Sequence, residues 1–218
     1  MKDFIVAIDG PAGSGKSTIS KIVAKKKGFT YLDTGAMYRM VTLATIKKNV
    51  NIENKEEIVD LLKNIKLNIE KDKFYLGNED VSEEIRGVEV TSNVSKVAAI
   101  KEVREELVRL QREISQGKKV ILDWRDIGTV VFPNAQLKVF LVASSEERAK
   151  RRVKEFESKG INISYQEVLD EIIKRDKMDS TREESPLLQA EDAVLVDTSS
   201  MSIDEVSNKI VELVDNLF

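Results

Sequence analysis

Residues 4–18 read Phe4-Ile5-Val6-Ala7-Ile8-Asp9-Gly10-Pro11-Ala12-Gly13-Ser14-Gly15-Lys16-Ser17-Thr18. Five apolar residues lead into a glycine-rich turn and then into a pattern with Ile19, Ile22 and Val23 on one helical face. The near-continuous apolar run predicts a strand buried on both sides. Gly10 to Ser17 satisfies G-x-x-x-x-G-K-[ST], in which glycines let successive backbone N–H groups point at a polyphosphate while the helix start adds partial positive charge. Lys16 is expected to reach the β/γ-phosphates of ATP, and Ser17 to ligate Mg²⁺.

Working outward, residues 120–122, 137–142 and 193–196 repeat the apolar, Val- and Ile-rich run of residues 4–8. Between them, Ile100, Val103, Leu107, Leu110 and Ile114 recur at helical spacing, as do Ile203, Val206, Ile210, Leu213 and Leu217. Ser202 followed by Glu205 predicts a capping box for the last helix. Strands alternating with amphipathic helices predict an α/β fold with a parallel sheet flanked by helices. Residues 65–81 break that rhythm, because Leu67 and Ile69 alternate with polar residues and Gly77-Asn78 supplies a tight turn. The pattern predicts a small antiparallel insertion.

The chain has 218 residues, 35 Lys plus Arg against 38 Asp plus Glu, and neither histidine nor cysteine. Without imidazole or thiol there is no Ser-His-Asp or Cys-His nucleophile, zinc finger or disulfide framework. The net charge of -3 argues against a dedicated nucleic-acid binder, which needs a basic excess. No apolar run approaches a membrane span, and residues 4–8 are too short for a signal-peptide core. A single-domain, soluble, cytoplasmic protein is the expectation.

A phosphate loop does not say what receives the phosphoryl group. Guanine recognition needs an N-K-x-D segment, and the nearest approach is Asn54-Lys55-Glu56-Glu57, which has Glu in place of Asp. A small-molecule kinase needs a second anion site, best supplied by arginine with its planar fork. Arg39, in Leu32-Asp33-Thr34-Gly35-Ala36-Met37-Tyr38-Arg39, is a candidate, on a helix entered through an Asp-Thr-Gly loop. Arg148, Lys150, Arg151, Arg152 and Lys154 put five positive charges into seven residues. Asp123 closes the strand at 120–122, where a carboxylate lies near the nucleotide's metal ion.

These segments, with Arg125-Asp126-Ile127-Gly128-Thr129-Val130-Val131-Phe132-Pro133 and Asp179-Ser180-Thr181-Arg182-Glu183, give the chain an end-to-end resemblance to bacterial cytidylate kinases. The resemblance implies a P-loop fold and transfer of a phosphoryl group from ATP to CMP or dCMP in pyrimidine nucleotide metabolism. It implies a monomer acting on small nucleotides, without nucleic-acid or membrane partners. Lys16, Asp123, Arg148 and Arg152 are implied as catalytic, and Gly10 to Thr18 with Arg151 as the ATP site. For CMP, the implied contacts are Ser95, Arg104 and Asp126 on cytosine, with Thr34 and Arg182 close by. Arg39 and Arg125, with Tyr38 beside them, are implied for the phosphate, and Arg175 and Asp179 for the sugar. A carboxylate for N4 and an arginine for the N3/O2 side suit cytosine over uracil.

The implied organisation is one domain with a core of residues 1–33, 88–147 and 164–218, a monophosphate-binding region at 34–87 and a mobile lid at 148–163. Another nucleoside monophosphate kinase, or a P-loop protein that binds nucleotide without catalysis, are the alternatives. One position departs from the family pattern: Trp124, the only tryptophan, stands where glycine is expected. An indole there would block the monophosphate pocket or swing to solvent, so the expectation is weakened CMP binding with ATP binding intact.

Overall fold

The computed structural model describes residues 3–70, 73–158 and 160–218. Positions 71 and 72 of the expected insertion and 159 of the expected lid lie outside them. In chain order the first elements are β1 (Phe4–Asp9), α1 (Lys16–Lys27), β2 (Thr30–Asp33), α2 (Thr34–Lys47), α3 (Lys55–Asn64), β3 (Leu67–Glu70), β4 (Lys73–Leu76) and β5 (Glu79–Asp80). They are followed by α4 (Val88–Val97), α5 (Lys101–Ser115), β6 (Lys119–Trp124), β7 (Leu137–Val142), α6 (Ser145–Ser158), α7 (Tyr165–Thr181), β8 (Val194–Asp197) and α8 (Ile203–Asp215). The chain forms two compact units, Met1–Leu32 with Ser115–Phe218, and Asp33–Ile114.

The first unit is built on a five-stranded sheet in the order β2-β6-β1-β7-β8. β1 pairs in parallel with both β6 and β7, and β7 with β8. All six residues of β1 are buried, Phe4 to Ile8 as an unbroken apolar run requires and Asp9 with them. Val6, Ile8, Val139 and Leu141 of the sheet pack with Ile19 and Val23 of α1 and with Val206, Ile210 and Val214 of α8. The buried stripe of α8 thus turns from the expected Leu213 to Val214, and Ile203 and Leu217 are exposed. The capping box is present: Glu205 N donates to Ser202 Oγ, and Ser202 N to Glu205 Oε2. The strand order reverses at β1, which places the loop after β1 at the topological switch point of the sheet, where ligands of open α/β folds bind.

In the second unit, α2 is buried along most of its length. Ala36, Met40 and Leu43 of α2 form a separate core with Phe74, Val81, Ile85 and Val90, against which Leu67, Ile69 and Leu76 pack. The expected insertion is a three-stranded antiparallel sheet, β3-β4-β5. Gly77 has φ 62 and begins a two-residue turn between β4 and β5; positive φ at the first turn position is the pattern of a type II′ hairpin. The loop expected before α2 is instead strand β2 running directly into the helix, because Asp33 itself caps it: Ala36 N donates to Asp33 Oδ1 at 2.8 Å.

Candidate active site

The glycine-rich loop leaves β1 through Gly10 with φ 148 and continues through Gly13 at 76 and Gly15 at 91. Gly10 is fixed for a second reason: a Cβ there would come within 2.0 Å of the Leu141 carbonyl oxygen of β7. α1 starts at Lys16 with no side chain capping it, so its first N–H groups remain for an anion. Lys16 is buried and donates from Nζ to Pro11 O at 2.7 Å. Burial, and then the charge of Arg125, push the Lys16 ammonium down from its usual range to about 7.

Ser17 and Thr18 are exposed on the same turn. Ser17 Oγ donates to Asp123 Oδ2 at 2.7 Å, and Tyr31 Oη donates to Asp123 Oδ1 at 2.8 Å. A hydroxyl beside a carboxylate is an oxygen donor set that suits Mg²⁺, which takes one or two protein ligands and completes its shell with phosphate and water. Asp9, the last residue of β1, accepts from Ile127 N and Gly128 N, each at 2.7 Å. Burial, with the charge of Asp126 adding to it, lifts the Asp9 carboxyl to about 7 against the pull of those two amides.

After β6 the chain turns sharply. Residues 127–131 form one turn of π-helix, in which Asp126 O accepts from both Val130 N and Val131 N. Arg125 Nε donates to Asp179 Oδ2 at 2.7 Å, both side chains being about 3% exposed. Burial acts to raise the Asp179 carboxyl, but the charges of Arg125 and Arg175 outweigh it and hold the group below its ordinary value. Arg182 donates from Nε and Nη2 to Ser185 O. Trp124 does not swing to solvent: its indole is 7% exposed, and the Arg125 guanidinium lies 4.4 Å from the ring centre. Among the described residues only Asn49 and Ser185 hold positive φ outside glycine, so the backbone at Trp124 is one that any residue adopts.

The basic cluster on α6 engages three different sets of partners. Arg148 is buried, donates to Ala12 O of the glycine-rich loop and to Ala143 O, and forms a two-pronged ion pair with Asp176 of α7. Arg151 pairs with Glu147 and bonds Thr198, while Arg152 pairs with Glu155 and stacks on Phe156. Only Arg148 touches the phosphate loop in these contacts.

In the second unit, Thr34, Tyr38, Ser95 and Arg104 are buried. Arg104 donates to Ala98 O at 3.0 Å, and its guanidinium lies 5.4 Å from the centre of the Tyr38 ring. Arg39 donates to Ile85 O at 3.1 Å and Thr91 Oγ1 at 2.9 Å. Sequence reasoning missed three supporting groups: Asp9, Tyr31 and Asp176. For Asp9 a signal existed, since a carboxylate closing a fully apolar strand must find donors; Tyr31 and Asp176 carry no comparable mark.

The cytidylate kinase family model matches residues 6–216. The chain is 56% identical to the cytidylate kinase of Fusobacterium nucleatum over 100% of both chains. It is 49% identical to that of Bacillus subtilis, over 98% of this chain and 97% of the relative. Among solved structures, an uncharacterized protein from Eubacterium ventriosum matches with a TM-score of 0.57 at 14% identity, covering 99% of each chain. Shikimate kinase from Bacteroides thetaiotaomicron matches at 0.50 and 12%, over 98% of this chain and 99% of that one. At those identities the structural likeness speaks for the fold alone.

Proposed function

The chain belongs to the cytidylate kinase family, and on that premise we propose how its residues carry phosphoryl transfer. The enzyme moves the terminal phosphoryl group of ATP to CMP or dCMP, giving ADP and CDP or dCDP. Relatives of that one name along the full chain do not favour a non-catalytic nucleotide binder. The observation that carries the site assignment is the buried Lys16 in a glycine-rich loop at the switch point, with Ser17 and Asp123 joined at 2.7 Å beside it.

In this reading the loop amides and Lys16 hold the donor's β- and γ-phosphates. The negative charge of ATP restores the ammonium that burial destabilises. Ser17 and Asp123 would hold Mg²⁺, which would neutralise charge on the donor phosphates. The acceptor phosphate is itself an anionic nucleophile above its second pKa of about 6, so no general base is needed. Lys16 and the arginines of α6 stabilise charge on the loose transition state, and positioning supplies the rest. Residues 148–163 act as a lid that excludes water, with Gly160 at φ 72 ending its helical part.

For the acceptor, we assign Thr34, Tyr38, Arg39, Ser95, Arg104, Arg125, Asp126, Arg175, Asp179 and Arg182. Asp126 accepts the cytosine amino group and Arg104 donates to its acceptors, while Arg39 and Arg125 serve the phosphate. The protein acts as a cytoplasmic monomer on free nucleotides; its net charge of -3 supports free nucleotides over nucleic acid as ligands. No helix among the described residues is long and apolar enough to cross a membrane. A coupled assay of ADP release with CMP, dCMP, UMP and AMP tests the function: turnover should depend on acceptor, with the cytosine nucleotides leading. Preference for UMP or AMP would remove the roles given to Asp126 and Arg104.

A further inference from the structure

We propose that Trp124 is a positioning residue for Arg125, its indole fixing the plane in which the guanidinium meets the acceptor's phosphate. The proposal rests on the reading of Arg125 as a phosphate-holding residue. Consecutive side chains of a strand point to opposite faces and do not stack. Here β6 ends at Trp124, the chain turns, and Arg125 folds back until its guanidinium lies 4.4 Å from the indole centre. Asp179 takes the Nε–H at 2.7 Å from the side. The guanidinium is therefore held at two points, over the indole face and at the carboxylate, and on the proposal the ring sets its plane.

A guanidinium binds phosphate through two parallel N–H groups, so tilting its plane loses the second bond even when the first survives. The stack is dry, with the indole 7% and the arginine side chain 3% exposed. A desolvated cation–π contact is stronger than an exposed one, and tryptophan provides the best ring face for it. At this position the indole acts as a wall behind the arginine.

Trp124→Phe, which keeps a π-face, and Trp124→Leu, which keeps bulk without one, separate positioning from simple filling of space. The expected result is a KM for CMP raised roughly tenfold in W124L with kcat and the KM for ATP little changed, and largely rescued in W124F. Melting temperatures of the two variants should be close. Trp124 is the only tryptophan, so its emission reports on the stack without any mutation, and CMP should change it saturably.

An unchanged KM for CMP in W124L would overturn the proposal, as would wild-type emission indifferent to saturating CMP. A lower KM for CMP in Trp124→Gly would also overturn it, since that is what an obstructing indole predicts. Wild type that fails to phosphorylate CMP would remove the reading of Arg125 as well. Normal wild-type turnover beside an unchanged W124L removes only the role of Trp124.

Discussion

At Asp9 a carboxylate is buried at the end of an apolar strand, and its raised pKa makes it a pH-dependent strut. With the folded value near 7 and the ordinary value 3.8, the folded protein holds a proton between those limits that the unfolded chain releases. Its contribution to stability is therefore complete below about pH 4 and is lost as pH rises through 7. Asp9→Asn should be less stable overall and should lack this component. In calorimetry the gap in melting temperature between wild type and D9N should narrow from pH 4 to pH 7; a constant gap would refute it. Lys16 has the opposite displacement. Bound polyphosphate raises its pKa again, so ATP binding above pH 7 takes up a proton. Affinity should fall between pH 7 and 9, by at most about tenfold per unit. Titration calorimetry in two buffers of different ionisation enthalpy should count nearly one proton at pH 8.

Helices and strands carry their own tests. The capping box at Ser202 satisfies two donors at the start of α8, so Ser202→Ala should cost about 1 kcal/mol. For a chain of this size that lowers the melting temperature by roughly 2–4 °C. Gly10→Ala is of another order: the new methyl group meets the backbone of β7, so ATP protection of the protein against heat should vanish. The elements that were legible in the sequence are those with a strong period. Residues 4–8 of β1 are an unbroken apolar run and β7 is interrupted only by Lys138, β3 alternates ahead of the Gly77-Asn78 turn, and α5 and α8 carry stripes. α7 was not legible, because its buried residues are Val168 and Asp179 and the rest of its surface is polar or only partly covered. Its link to α6 includes the Arg148–Asp176 ion pair, which no periodicity marks. Much the same holds for the site. Lys16, Ser17 and Asp123 are written into a motif and a strand end, whereas Tyr31 reaches Asp123 across 92 positions and Arg125 stacks on its neighbour only because the chain turns.

Over the whole molecule, burial is graded. β1 is buried at every residue, while β3 alternates and β5 is exposed. Amides of β1 should exchange with solvent only through global unfolding, and those of β4 and β5 by local opening at rates orders of magnitude faster. Hydrogen exchange read by mass spectrometry checks this, and equal protection of both sheets would contradict it. The pairing of β1 has a further consequence for how the protein is made. Phe4 lies opposite Lys119, and Val6 opposite Leu137. On the ribosome the first strand is therefore synthesised long before either partner, and waits through the translation of more than half the chain. Residues 33–114 have all emerged before β6 does, and they own a separate apolar core. The inserted unit is thus able to fold before the first unit, and the glycine-rich loop assigned here to ATP, although it precedes that unit in the chain, takes shape only when β6 and β7 arrive.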